Sequence, residues 1–199
     1  MNRSRQVFEE FAAEYDRWFD EHPGIYEAQL LQLGKAVPQA GRGLDLGTGS
    51  GRFAAPLGIG CGIDPSRPLL AMAKARGTEV VQGEGEHLPF RTGSFDYVLM
   101  MTVICFLEDP VAVLEEICRV LAPGGTLVAG FLEKDREIAR QYGMEKAGGR
   151  FLRSARFRTR EEVAGFMEAA GFTGVSITAG SRRFCIMAGS RPGNRGTGK

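Results

Sequence analysis

The chain has 199 residues, 43% of them hydrophobic, enough to bury one full core and suited to a single globular domain with an added lid. Its 25 Lys and Arg against 24 Asp and Glu leave a net charge of +1, which excludes a global field that would recruit nucleic acid or an acidic membrane. The four cysteines, at 61, 105, 118 and 185, form no C-x-x-C pair, so neither a zinc site nor a disulfide framework is indicated.

The N-terminal stretch MNRSRQVFEEFAAEYDRW carries charges throughout and has no apolar signal core. No run reaches the length of a membrane span, and the expectation is a reduced, cytoplasmic protein. Val7, Phe8, Phe11, Ala12, Tyr15, Trp18 and Phe19 fall at helical spacing and predict a helix from about Ser4, with Ser4 as N-cap. A second helix follows His22-Pro23-Gly24 and runs through Tyr26, Leu30 and Leu33, before a linker over Pro38–Gly43. From there strands and helices alternate. GLDLG (43–47) reads as a strand, and a short helix starts near Gly51. GCGID (60–64) is a strand followed by a helix over Ser66–Ala75. EVVQG (79–83) is a strand, and FDYVLMM (95–101) is one that is apolar on both faces and therefore central. A helix spans Asp109–Leu121, the APGG that follows reads as a turn, and GTLVAGF (125–131) is a strand.

This alternation predicts a parallel sheet with right-handed crossovers. The end of the chain departs from it. After a helix over Thr159–Ala170, VSITA (175–179) and RFCIMA (183–188) are separated only by Gly-Ser-Arg, too short for a parallel crossover, so one late strand must be reversed. A basic insertion over 132–158 interrupts the rhythm on the side where the strand C-terminal ends open, and ligands of open α/β sheets bind there. The glycine-rich basic tail is expected to be disordered.

The glycines of RGLDLGTGSGRF lie at 47, 49 and 51 after the first strand. A dinucleotide fingerprint, G-x-G-x-x-G, would place its third glycine where Arg52 stands. Asp45, at the strand's end, would repel a pyrophosphate if it faced the ligand. It would attract the sulfonium and amino group of S-adenosylmethionine, whose carboxylate could meet the backbone N–H groups of the following turn. The alternative is an Asp that caps the turn. Asp64 follows Asp45 by 19 residues, near the spacing of an acid that holds a ribose diol. It could equally cap the helix after Pro65.

In order, LDLGTGSGRF, GIDPS, GEGEHLPFRTGSFDYVLM, EEICRVLAPGGTLVAG and FRTREEVAGFMEAAGF resemble the motifs of class I S-adenosylmethionine-dependent methyltransferases. They are most similar to the small-molecule group that includes the ubiquinone and menaquinone biosynthesis enzymes. The resemblance covers about Arg42–Phe172. It implies a Rossmann-like α/β fold: a seven-stranded, mostly parallel sheet with its last strand antiparallel, helices on both faces and an N-terminal helical lid. It implies one domain over 1–189, with lid helices in 1–37, the insertion at 132–158 near the acceptor site and a disordered tail over 190–199. Asp45, Gly47, Thr48, Gly49 and Asp64 are assigned to the cofactor, with Ile63 and Pro65 flanking adenine, Glu84 and Gly85 beside its amino group, and Met101, Tyr15 and Trp18 completing the set. The family often has Asp where this chain has Glu84. Tyr15 and Trp18 are alternatively plain helical core.

Methyl transfer from a sulfonium is an in-line displacement whose leaving group departs neutral, so alignment and exclusion of water dominate. A base serves only a hydroxyl or protonated amine. His22 is the candidate base, or else a turn histidine. His87 is assigned to the adenine-side loop as structural. Relatives often carry His in the stretch that here reads Ile104-Cys105-Phe106, which suggests an apolar pocket wall, with Cys105 packed rather than nucleophilic. The arginines at 150, 153, 156, 158 and 160 are either solvated or set to pair an anionic acceptor. The partner expected is a small-molecule acceptor. Nucleic acid is disfavoured by the charge balance and by the lack of an NPPY-like tetrapeptide. A catalytically inactive cofactor-binding module and a nicotinamide-dependent oxidoreductase are the competing readings.

Overall fold

The strands are β1 (Gly43–Leu46), β2 (Cys61–Asp64), β3 (Glu79–Gln82), β4 (Phe95–Met101), β5 (Leu121–Leu132), β6 (Thr173–Gly180) and β7 (Phe184–Ser190). In the computed structural model, which describes residues 3–134, 150–180 and 184–193, they form one sheet in the order β3-β2-β1-β4-β5-β7-β6. The pairs from β3 to β5 are parallel, and β7 runs antiparallel to both β5 and β6. The reversed strand demanded by the short Gly-Ser-Arg link is therefore β7, inserted between β5 and β6.

Alternation along the central strands sends side chains to two cores. Leu44, Leu46, Val98, Met100, Leu127 and Ala129 face one side, with Val113, Ile117, Val163 and Met167 against them. Those four come from the helices α5 (Pro110–Val120) and α6 (Arg160–Ala169). Tyr97, Leu99, Met101 and Val128 face the other side, against Phe19 and Leu33. α5 and α6 begin where the sequence provides a cap. The Asp109 carboxylate accepts from Ala112 N at 3.1 Å, and Thr159 and Glu162 form a reciprocal capping box.

Several local expectations change. The first helix is two, α1 (Arg3–Glu10) and α2 (Ala12–Glu21), so Ser4 lies inside the first turn rather than capping it. The break falls at Phe11 (φ −116°, ψ 29°), which has the Arg150 guanidinium 3.8 Å over its ring, while Phe8 enters an aromatic cluster with Tyr15, Phe106 and Phe151. Tertiary packing, not a helix breaker, sets this boundary. α3 (Pro23–Ala36) follows as expected. The short helix expected from Gly51 is instead a run of turns, because Pro56 lacks the donor that a continuous ladder needs; only Ala55 N–Gly51 O and Leu57 N–Phe53 O pair at helical spacing. The APGG turn is a bulge within β5. Phe95 pairs with Leu121 and Tyr97 with Thr126, so the residues between loop out through Gly124 at φ 80°.

Ser190 and Arg191, placed in the tail by sequence, belong to the sheet: Arg191 N donates to Gly125 O at 2.8 Å and Gly124 N to Arg191 O at 3.0 Å. Residues 194–199, and the 135–149 part of the basic insertion, lie outside the described residues. The helix expected over Ser66–Ala75 is α4 (Arg67–Ala75), with Ser66 at its N-cap.

Two arginines, Arg52 and Arg76, hold the N-terminal helices to the glycine loop after β1 and to the end of α4. Arg52 Nε and Nη2 donate to the Asp16 carboxylate at 2.8 and 3.0 Å, and Nη1 and Nη2 donate to Asp20 at 2.7 Å each. Arg76 adds a second donor to Asp16 at 2.7 Å and also donates to Ser50 O. These contacts hold the Asp16 carboxyl well below the usual carboxylate range. Tyr26 Oη of α3 donates to the Arg52 carbonyl at 2.6 Å. Bidentate geometry with little solvent makes this pair stronger than an ordinary surface ion pair. Arg52→Ala is expected to cost about 2 kcal/mol, or roughly 4–8 °C in Tm. A thermal melt within about 1 °C of the parent would show that the clamp contributes nothing.

Candidate active site

β1 ends at Leu46 and the chain turns through Gly47, Gly49 and Gly51 at φ 72°, 53° and 80°. All three lie in the left-handed region, which glycine adopts without cost. Each also permits a close approach. A Cβ at Gly47 would overlap Val103, one at Gly49 would stand 3.3 Å from the Tyr15 ring, and one at Gly51 would stand 2.9 Å from the Ala73 backbone in α4. The loop is thus pressed between the segment after β4, the lid and α4.

A cavity of about 750 Å³ opens at the strand C-terminal ends. That is within the roughly 300–1,000 Å³ range of small-molecule sites. The sequence-predicted residues Gly47, Gly49, Ile63, Asp64, Pro65, Glu84, Gly85, Met101, Tyr15 and Trp18 all line it. Asp45, Thr48 and His22 do not. Asp45 is 2% exposed and sits beneath the loop, with Oδ1 and the Thr48 Oγ1 lacking an ideal hydrogen-bond partner among the described residues. His22 stacks on Trp18 (centroids 4.5 Å apart), and its Nδ1 lies 2.9 Å from Trp18 O at the end of α2. It supports the lid from outside the cavity.

Asp64 is the acid that meets the cavity. It is 8% exposed, Oδ2 accepts from Gly49 N at 3.0 Å and Oδ1 accepts from Ser66 N at 2.8 Å. It therefore organises both the glycine loop and the start of α4, and each oxygen keeps a lone pair for a ligand. Burial pushes its pKa up. Burial also pushes Asp45 up to about 7, and the nearby Asp64 charge adds to that rise. Tyr15 is raised by burial first and then by Asp64 and Asp45, so its hydroxyl is a donor at neutral pH and not a base. Glu84 accepts from Arg5 Nη1 at 3.0 Å, which latches α1 onto the loop after β3.

Beyond β4, Thr102 holds φ 56°, an uncommon conformation for a β-branched residue. It turns the chain so that Val103, Phe106 and Leu107 line the cavity, while Ile104 and Cys105 are buried behind them. The Cys105 thiol is pushed up to about 12 by burial and is packed, not nucleophilic. The described ends of the basic insertion contribute Leu132, Phe151 and Leu152 to the wall. Of the five arginines named in sequence, three pair outside the cavity: Arg150 with Glu14 and Phe11, Arg158 with Glu162 and Phe166, and Arg160 with Glu133. Among the described residues no His, Cys, Asp and Glu group is arranged to hold a metal ion. No described helix is long and apolar enough to cross a membrane.

Sequence reasoning missed Arg5, Phe53 and Gln29 as lining residues. Only Gln29 left a readable signal: it lies four residues before Leu33, on the buried stripe of α3, where an apolar residue is the rule.

Among its charged lining residues the cavity is mostly acidic. Its lining carries four acids, Asp64, Glu84, Glu86 and Glu108, against Arg5. Arg5 is already paired with Glu84, and Arg52 is spent on the lid. Among the described lining residues a pyrophosphate would find no free cation, while a sulfonium and an ammonium would meet favourable charge. Residues 44–129 match the family model described as a methyltransferase domain. The fold superposes on a Thermotoga maritima structure described as an S-adenosylmethionine-dependent methyltransferase, possible histamine N-methyltransferase, with TM-score 0.86 and 34% identity over 95% of this chain and 100% of that one. An uncharacterized protein of Methanocaldococcus jannaschii is 38% identical over 86% of this chain and 83% of its own length. The demethylmenaquinone methyltransferase of Lactococcus lactis is 31% identical over 63% of this chain, which spans 57% of that enzyme. The chain belongs to the S-adenosylmethionine-dependent methyltransferase family, and it resembles the quinone-biosynthesis members.

Proposed function

We propose that this chain transfers a methyl group from S-adenosylmethionine to a small-molecule acceptor. The observation that carries the reading is Asp64, a nearly buried acid that both braces the glycine loop and opens into an acid-lined cavity. In this reading Asp64 takes the ribose hydroxyls, Ile63 and Pro65 flank the adenine, and Glu84 and Gly85 lie at its amino edge. Gly47 and Gly49 supply backbone at close approach, and Asp45, with Thr48 beside it, contributes charge from beneath the loop rather than a direct contact. Tyr15 and Trp18 roof the site and Met101 forms its floor.

The bound cofactor supplies a methyl group activated by a positive sulfur. The protein's own part is to orient that group and keep water out. Phe8, Tyr15, Phe106 and Phe151 close an aromatic cover over the cavity. Arg5–Glu84 and Arg52–Asp16 hold that cover in place. His22 takes no part as a base in this reading, because its ring packs outside Trp18.

Calorimetry with S-adenosylhomocysteine and with NAD tests the assignment. Binding of the first alone is the expected result; binding of NAD alone reverses it. Turnover of methyl-labelled S-adenosylmethionine over a broad acceptor panel then separates an enzyme from an inactive binding module.

A further inference from the structure

The cavity has two ends of different chemistry. Its charged residues come from α1, the end of β2, the loop after β3 and the segment before α5. The other end is walled by Phe19, Phe53, Met101 and Leu132, which belong to the apolar cluster that packs α2 and α3 on the sheet. Among the described residues, no charged side chain lines that second end.

One polar side chain stands in it. Gln29 is only 8% exposed, and it lines the cavity. Its amide makes no hydrogen bond to a described residue and is open to the cavity. It stands on the buried stripe of α3, beside apolar walls, so its donors and acceptor are free to meet whatever occupies that end. An amide offers two N–H donors and one acceptor oxygen, all neutral. Beside aromatic and aliphatic walls, this selects a flat, uncharged molecule with one hydroxyl, carbonyl or amide group; a charged group would be desolvated there with nothing to pair it.

Resting on the methyltransferase reading above, we infer that Gln29 is the specificity-determining residue for the methyl acceptor, and that the acceptor is a neutral, largely apolar molecule whose single polar group hydrogen-bonds the Gln29 amide. The second subsite is then an uncharged chamber beside a charged one, and the two ligands of the reaction are sorted by charge.

A set of one-ring probes that share size and differ in charge tests this: 4-ethylphenol (neutral), tyramine (cationic), 4-hydroxyphenylacetate (anionic) and 4-ethyltoluene (no polar group). Binding to the full chain saturated with S-adenosylhomocysteine is read by saturation-transfer NMR. The expected order places 4-ethylphenol first, with the two charged probes and 4-ethyltoluene weaker by on the order of tenfold. Gln29→Leu is expected to abolish the preference for 4-ethylphenol over 4-ethyltoluene, to leave S-adenosylhomocysteine affinity within about twofold, and to leave the Tm of the ligand-free protein within about 2 °C, because the amide it removes faces the cavity and holds no other part of the fold. A Tm lowered by more than that would mean that Gln29 serves the fold. A tenfold loss of S-adenosylhomocysteine affinity in Gln29→Leu would mean that it serves the cofactor. Tighter binding of either charged probe would remove the neutral-acceptor assignment. Each of these results overturns the inference while leaving the methyltransferase reading intact. Failure of the parent protein to bind S-adenosylhomocysteine at all overturns both.

Discussion

Asp64→Ala is expected to weaken S-adenosylhomocysteine binding by about 100- to 1,000-fold. Two hydrogen bonds from neighbouring ribose hydroxyls to one carboxylate are each worth roughly 1.5–3 kcal/mol, and both vanish in this variant. The loss extends to the protein itself, because Gly49 N and Ser66 N donate to the same carboxylate and would be left without an acceptor. Loop and ligand site therefore fail together. Asp64→Asn separates the two contributions. It keeps the shape and one acceptor oxygen but turns an N–H₂ group toward one of the backbone donors, so its affinity should fall between the parent and the alanine variant. Titration calorimetry at pH 7 reads the series. An alanine variant that binds within threefold of the parent would place the ribose elsewhere.

The second large effect is a dependence on pH set by Asp45. Burial, with a further contribution from Asp64, carries its folded pKa up to about 7, against an ordinary value of 3.8. Between those two values the folded chain holds a proton that the unfolded chain has released. The stability of the ligand-free protein must therefore fall as pH rises from about 4 to 7, by an amount on the order of 4 kcal/mol, and level off above that. A cationic ligand near the two acids reverses the sign for binding. It favours the charged carboxylate, so it expels the proton and binds more tightly as pH climbs toward 7, by at most about tenfold per pH unit. Calorimetry with S-adenosylmethionine between pH 5.5 and 8, in buffers of different ionisation heat, should detect proton release that disappears above about pH 7. Asp45→Asn should flatten the profile, raise the Tm of the ligand-free protein at pH 8 and reduce affinity for the sulfonium. An affinity independent of pH across that range would show that Asp45 does not sense the ligand.

Some of this was legible in the residues alone. The parallel pairing of the first five strands follows from alternating periods, and the opposition of β6 and β7 follows from a link too short to cross the sheet. The place of Asp64 at the end of β2 and at the cavity was legible from its spacing after the glycine loop. What escaped was set by contacts distant in sequence. Arg52 reads as a broken glycine motif, yet its partners Asp16 and Asp20 lie 36 and 32 residues away, and no local pattern links them. The split at Phe11 depends on Arg150 and on aromatic rings from three other segments. Asp45 was placed correctly at the end of β1, but strand alternation at the loop decides whether its carboxylate enters the cavity or lies below it, and one residue of register separates those outcomes. Gln29 shows the opposite case: a polar residue on a buried stripe is a visible anomaly once the stripe is drawn.

The arginine standing in the third glycine's place has a consequence for modularity. The segment shared across the family, 44–129, contains Arg52 and Arg76 but neither Asp16 nor Asp20. An excised fragment with those bounds would present two guanidinium groups with their counter-ions cut away, beside a loop stripped of its roof. A transplant of the matched segment into another scaffold would have to carry α2 with it to keep these guanidinium groups paired.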